Sequence, residues 1–167
     1  MNIIIIPILV VFLDQITKLY IKFNFNLYEK YNLINHFVNI YYIENKGIAF
    51  GIDTSNFHFL ITIFTIIAII IIFIYLFLLI KENNIERYPI SLICGGAIGN
   101  CIDRILVMFP ATGYKGVIDF IDIGFWNYRW YVFNVADASI TCGILFYLFI
   151  VYKNKYIYKL NDEGNKK

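Results

Sequence analysis

The chain of 167 residues is 60% hydrophobic, 19% aromatic and only 16% charged, with a mean hydropathy of +0.67. A soluble domain of this size has too much surface for its volume to hide that much apolar side chain, so the composition excludes an ordinary soluble fold and points to a membrane. The net charge of +2, with no long basic run interleaved with aromatics, argues against nucleic acid as a partner.

A crossing helix needs about 20 mostly apolar residues to pass a hydrocarbon core roughly 30 Å thick. Four stretches meet or approach that requirement: about 2–21, 57–80, 89–109 and 131–152. The first, NIIIIPILVVFLDQITKLYI, lacks a basic leader, is interrupted by Asp14 and Lys18, and precedes no small-x-small cleavage site. It therefore reads as a retained helix rather than a signal peptide. The second has no charge in 24 residues. The expected fold is a single integral-membrane domain over 1–167, an all-α bundle of four transmembrane helices with a basic tail at 153–167. Four crossings put both termini on one side. Lys153, Lys155, Lys159, Lys166 and Lys167 in the tail, with Lys81 and Arg87 between the second and third spans, make that side cytoplasmic by a small margin.

The two long connections, about 22–56 and 110–130, then face outward. HFVNIYYIENKGIAFG mixes β-branched and aromatic residues before a glycine turn and predicts a short strand pair on the outer surface. FPATGYKGVIDFIDIGFWNYRW carries Trp126, Tyr128 and Trp130, residue types that settle at the lipid–water boundary, and reads as an outer cap. Cys94, Cys101 and Cys142 make no metal or redox spacing and are expected to be small buried packing residues.

Polar residues inside the spans carry the functional signal, because an ionisable group in a span faces the bundle interior or a cavity. Asp14 and Lys18 stand four residues apart on one helix face. Asn100, Asp103 and Arg104 share a face of the third span, Asn134 and Asp137 open the fourth, and Asp119 lies just before it. All fall toward the outer end of the bundle. Asp14 can pair with Lys18, Arg104 can tie Asp103 or loop carbonyls, and the asparagines can bond between helices. Asp119 and Asp137 have no base beside them, so local pairing explains them least.

Two carboxylates in one low-dielectric site cannot both ionise and so share a proton. The ionised member can activate water while the protonated one polarises a carbonyl and serves the leaving nitrogen, which is aspartyl peptide hydrolysis. No metal or other cofactor is needed. His36 and His58 are isolated and read as surface or boundary residues, and no Ser/His/Asp set, G-x-S-x-G elbow or phosphate loop occurs.

FLDQITK (12–18), ENKGIAFG (44–51), GGAIGNCIDR (95–104), GVIDF (116–120) and FNVADASITCG (133–143) occur in this order around the four spans. Together they resemble the bacterial lipoprotein signal peptidases, or signal peptidase II, over nearly the whole chain. The resemblance implies an inner-membrane aspartyl endopeptidase that uses no cofactor and removes the signal peptide from prolipoproteins. It cuts before a cysteine carrying a diacylglyceryl group. It implies a small extracytoplasmic β-cradle, a short outer helix acting as a lid, and an active site toward the outer leaflet. Its catalytic pair falls on Asp119 and Asp137. Its site-shaping positions fall on Asp14, Lys18, Asn45, Asn100, Asp103, Arg104 and Asn134, with Gly47 in the same motif as Asn45. Prolipoproteins and membrane lipids are the implied partners, and the chain is expected to act as a monomer.

Two features depart from the family pattern. ILVMFPATGYKGVI, between Arg104 and Asp119, is about twice the usual length and leaves Asp122 as a rival to Asp119, although GVIDF favours Asp119. Tyr131 also stands where proline is common. A proton- or cation-coupled carrier is the alternative function, since paired acids also serve as relays. No inverted repeat or broken-helix pair supports it.

Overall fold

The structure, a computed structural model, describes residues 3–35, 37–48, 52–53, 57–126 and 128–164. His36, Asn2 of the expected first span, and Lys166 and Lys167 of the tail lie outside them. Helix α1 (Ile5–Asn24) leads into strands β1 (Lys30–Ile34), β2 (Val38–Asn45), β3 (Gly47–Ile48) and β4 (Ile52–Asp53). Helices α2 (His58–Lys81) and α3 (Arg87–Val107) follow, then β5 (Val117–Phe125), β6 (Tyr128–Arg129) and α4 (Val135–Gly164).

Local chemistry explains the boundaries. Pro89 sits in the first turn of α3, where its missing N–H costs nothing, and Pro110 disfavours helix before it, so α3 stops at Val107. A single 3-10 turn, Pro110–Thr112, follows and ends at Gly113 with a left-handed φ of 69°. Helix α4 starts at Val135 rather than 131, because Asn134 caps it. It runs on to Gly164 through the expected tail, where no proline or glycine intervenes to stop it.

Among the described residues, three helices are long and apolar enough to cross a membrane: α2, α3 and Val135–Tyr156 of α4. Helix α1 has 20 residues but carries Asp14, Lys18 and Lys22. Helix α2 buries only Thr62, Leu76 and Leu79 and leaves most of its other apolar side chains exposed, as a lipid-facing helix does. Helix α3 is central, packed against α1, α2 and α4. Leu76 and Leu79 of α2 form one core cluster with Ile90 and Cys94 of α3. Cys94 and Cys101 are buried as expected, but Cys142 is exposed.

Glycine lets α3 approach its neighbours. A Cβ on Gly96 would lie 2.4 Å from the Ala136 carbonyl oxygen, and one on Gly99 would lie 2.6 Å from Asp14 Oδ2. Close backbone approach through small residues is how helices associate where lipid removes the hydrophobic drive.

The strands form a four-stranded antiparallel sheet in the order β1-β2-β5-β6, with β3 and β4 paired separately. Among the described residues, the pair expected within 36–51 is not formed there: β2 lies in that run, but its partners β1 and β5 come from outside it. The outer cap, read as turn and surface, supplies the nine-residue β5 as well. Its burial on both faces hides the alternation that would have marked it as a strand. Strand β5 pairs with β2 so that Ile43 opposes Asp119 and Asn45 opposes Val117, after a bulge between Ile40 and Ile43. Ile118 and Phe120 of β5 pack with Ile21 of α1 and Tyr42 of β2, which seats the sheet on the end of the bundle.

Gly96→Ala is expected to destabilise the protein by about 1–3 kcal/mol through overpacking, seen as a lower thermal unfolding midpoint in detergent.

Candidate active site

Asp14 and Lys18 lie one turn apart on α1, and both are fully buried. The Lys18 ammonium contacts Asp14 Oδ2 at 2.8 Å, Asp103 Oδ2 at 3.1 Å and Asn100 Oδ1 at 3.0 Å. Its three N–H donors are thereby matched. Asp103 is held by Lys18 of α1, and among the described residues it forms no ion pair with Arg104. The geometry favours Lys18 because its chain crosses directly to α3 at that level.

The two carboxylates reach further. Asp14 Oδ1 accepts the Ala136 backbone N–H at 2.9 Å, satisfying one of the open donors in the first turn of α4. Asp103 Oδ2 accepts the Ile118 N–H at 3.0 Å, which fixes the start of β5. The first turn of α4 is also closed reciprocally. Asn134 Oδ1 accepts the Asp137 N–H at 2.9 Å, and Asp137 Oδ2 accepts the Asn134 N–H at 3.2 Å. That is a capping box with aspartate in the acidic position.

Asn100 and Asn134 link the two candidate catalytic acids. Asn100 Nδ2 donates to Asp137 Oδ1 at 2.7 Å, and its Oδ1 accepts from Asn134 Nδ2 at 3.0 Å. Asn134 Nδ2 also donates to Asp119 Oδ1 at 2.7 Å and lies 3.2 Å from the Ile118 carbonyl. Two N–H bonds serve three acceptors there, so one is shared. Asn45 Nδ2 donates to Asp119 Oδ2 at 3.1 Å. Asp14, Lys18, Asn45, Asn100, Asp103, Asp119, Asn134 and Asp137 thus form one network, although up to 122 residues separate bonded partners.

Asp119 is 2% exposed. Burial, and then the Asp137 carboxylate, push its pKa up to about 7, against the opposing pull of Asn45, Lys18 and Asn134. Asp122 sits in the opposite situation. It is bound by Lys30 at 2.8 Å, Arg129 at 2.6 Å and Asn39 at 3.2 Å. Burial alone would raise its pKa, but these partners hold its carboxyl below the usual range. Asp122 is therefore spoken for by the outer part of the sheet.

Arg104 stands apart from the network. It lines a small cleft with Asn45, His58, Ile61, Val107, Gly116 and Val117. His58, read as isolated, shares that cleft because α2 starts beside the end of α3. Gly47 pairs with Asp53 across β3 and β4. Gln15 was missed from the sequence. Its Nε2 lies 3.1 Å from Asp14 Oδ2, the Gly99 carbonyl and Asp103 Oδ1. Its place in FLDQITK, between two charged residues of a span, was the available signal. Among the described residues, no group of three His, Cys, Asp or Glu side chains is placed to hold a metal ion.

A family profile described as signal peptidase (SPase) II matches residues 6–153. A lipoprotein signal peptidase of Pelagibacter ubique (strain HTCC1062) is 40% identical over 145 residues, covering 86% of this chain and 82% of that protein. One of Staphylococcus aureus (strain JH9) is 36% identical over 167 residues, covering 98% and 91%. Among solved structures, a bacterial membrane enzyme determined by the in meso method at 2.3 Å matches with a TM-score of 0.72 and 34% identity. That match covers 92% of this chain and 89% of the other.

A folded-state pKa near 7 for Asp119, above the ordinary 3.8, means that the native protein binds more protons than the unfolded chain between those values. The stability so gained is complete below the unfolded pKa and is lost as pH rises through the folded one. Asp119→Asn is therefore expected to gain thermal stability relative to the wild type as pH rises from about 4 to about 7, read as the difference in unfolding midpoint across that window.

Proposed function

The chain belongs to the signal peptidase II family, and on that premise we propose that it removes signal peptides from lipoprotein precursors by aspartyl chemistry, with Asp119 and Asp137 as the catalytic pair. The single observation carrying the pair is their shared bonding. Asn134 donates its side-chain amide to Asp119, caps Asp137, and bonds to Asn100, which donates to Asp137. The carrier alternative finds no support in the relatives, which are peptidases.

The environments divide the labour. Asp119, buried beside another acid, holds a proton near neutrality. Asp137 accepts from Asn100 and from the Asn134 N–H at the start of α4, and it takes the part of general base. In the first step Asp137 takes a proton from water, the hydroxide attacks the scissile carbonyl carbon, and the Asp119 proton passes to the carbonyl oxygen. In the second, Asp137 gives its proton to the leaving nitrogen as the C–N bond breaks, and Asp119 regains one from a hydroxyl of the intermediate. Both carboxyls return to their starting states.

The substrate is a prolipoprotein whose diacylglyceryl-cysteine follows the scissile bond. Asn45, bonded to Asp119, and Arg104, which shares a cleft with Asn45, supply partners for backbone groups freed when a helical signal peptide unwinds, which lipid cannot do. The acyl chains lie against the apolar helix faces.

Helix α1 serves as the fourth span despite its charges. Asp14 and Lys18 neutralise each other inside the bundle, while Ile8, Leu9, Phe12 and Ile16 face outward. The chain is then one domain in the bacterial cytoplasmic membrane, acting as a monomer. Its termini are cytoplasmic and its site faces the outer leaflet. The far end of the sheet supports that placement. Phe125, Trp126, Tyr128 and Trp130 are all strongly exposed there, with Arg129 and Lys30 beside them, as suits an interface of aromatic belts and lipid phosphates.

Asp119→Asn and Asp137→Asn are each expected to abolish cleavage of a diacylglyceryl-modified precursor while leaving the protein folded. Activity retained in either removes that residue from the pair. The chain's two tryptophans, Trp126 and Trp130, both lie at this edge. Their emission in lipid nanodiscs is expected to be quenched by bromine-labelled acyl chains and shielded from aqueous iodide. The reverse result would move the sheet out of the leaflet.

A further inference from the structure

A second buried carboxylate lies next to the site, and the chemistry above does not use it. Glu44 of β2 has a side chain only 6% exposed. Its Oε1 accepts from Lys22 Nζ at 3.1 Å and from the Tyr42 hydroxyl at 2.7 Å. Its Oε2 accepts the Lys115 backbone N–H at 2.8 Å. Lys22 in turn donates to the Gly113 carbonyl at 3.0 Å and stands 4.1 Å over the Tyr114 ring. One carboxylate therefore gathers the end of α1, strand β2 and the long run that leads from α3 into β5. Burial, and then the bond to Glu44, hold the Tyr42 phenol far above its usual pKa, so it stays a donor.

The grip falls where β2 and β5 meet the site. Glu44 opposes Ile118 and Asn45 opposes Val117 across the ladder. Gly116, which follows the gripped Lys115, passes so close beneath Asn45 that a Cβ there would lie 2.5 Å from its carbonyl oxygen. Successive side chains on a strand point to opposite faces. Glu44 thus clamps the junction from one face while the Asn45 amide meets Asp119 on the other.

We infer that Glu44, locked by Lys22, is a positioning residue for the Asp119–Asp137 site, holding the β2–β5 junction so that the Asn45 amide stays bonded to Asp119. This rests on the reading of Asp119 as the catalytic acid. The groups that bear on Asp119 are Asp137 and Asn134 from α4, Lys18 from α1 and Asn45 from β2, while Arg104 of α3 shares a cleft with Asn45. Among these, the clamp acts on Asn45 alone. An amide donating to a carboxylate favours its ionised form, so a loosened Asn45 leaves Asp119 protonated to higher pH.

The test is the pH dependence of kcat for the full chain in detergent on a diacylglyceryl precursor peptide. Wild type, Glu44→Gln, Glu44→Ala and Asn45→Ala are compared, with thermal midpoints recorded for each. Both Glu44 variants are expected to lower kcat with little change in KM. They should also move the alkaline limb upward, toward the position found in Asn45→Ala, by up to about one pH unit. Combining Glu44→Gln with Asn45→Ala should add no further shift. Removing a negative charge near Asp119 without moving Asn45 would shift the limb downward, so the sign separates positioning from charge. A limb that stays in place or moves down in the folded Glu44 variants overturns the inference, even if activity falls at every pH. Asp119→Asn run in parallel keeps the premise distinct: cleavage by that variant removes the catalytic assignment itself.

Discussion

The Lys18 ammonium, without access to water, meets Asp14, Asp103 and Asn100 with its three N–H groups, and the surrounding structure is arranged around those bonds. Burying an ion costs several kcal/mol unless its partners are close and fully bonded. The acids on either side are in turn completed by backbone donors, Ala136 N–H for Asp14 and Ile118 N–H for Asp103. A single cation on α1 therefore fixes α3 directly, and through its two acids it fixes the first residues of α4 and of β5. Those are the residues beside Asp137 and Asp119. Loss of the ammonium would leave two buried carboxylates without compensation and release both candidate catalytic groups together.

Three aspartates at this end of the bundle acquire different characters from their surroundings. Asp119 lies among asparagine amides with another acid nearby, and burial dominates its proton affinity. Asp137 sits in a helix cap with donors on both oxygens. Asp122 carries two cations and an amide, which outweigh its burial. Identical side chains thus sit in three different environments. Glu44 adds a fourth role: its bonds reach the backbone that presents Asn45.

Much of this was legible from the residues. The apolar runs gave the helices to within a few positions, except that α4 continues past Tyr152 to Gly164. The i,i+3 and i,i+4 spacings put Asn100 with Asp103 and Asp14 with Lys18 on common faces. The lack of a local base singled out Asp119 and Asp137. Other features were not legible. Nothing in the run from Val117 to Phe125 announces a central strand, because a strand covered on both faces loses its alternation. Arg104 was the obvious local partner for Asp103, yet adjacent residues on a helix point about 100° apart, and Lys18 fills that place from α1. His58 gains meaning only because the start of α2 stands beside the end of α3.

The sequence by itself determined that the chain is a membrane protein, which polar residues must turn inward, and which family its motifs match. These follow from hydropathy and helical period, both local properties. Tertiary structure alone decided which acid meets which donor, since those bonds span tens of residues and depend on the register of β5 against β2. That register is set by contacts such as Asp103 with the Ile118 N–H, and no local period encodes them. Hydrogen bonds fade within fractions of an ångström, so the bonding at Asp119 rests on a placement that only the folded chain supplies.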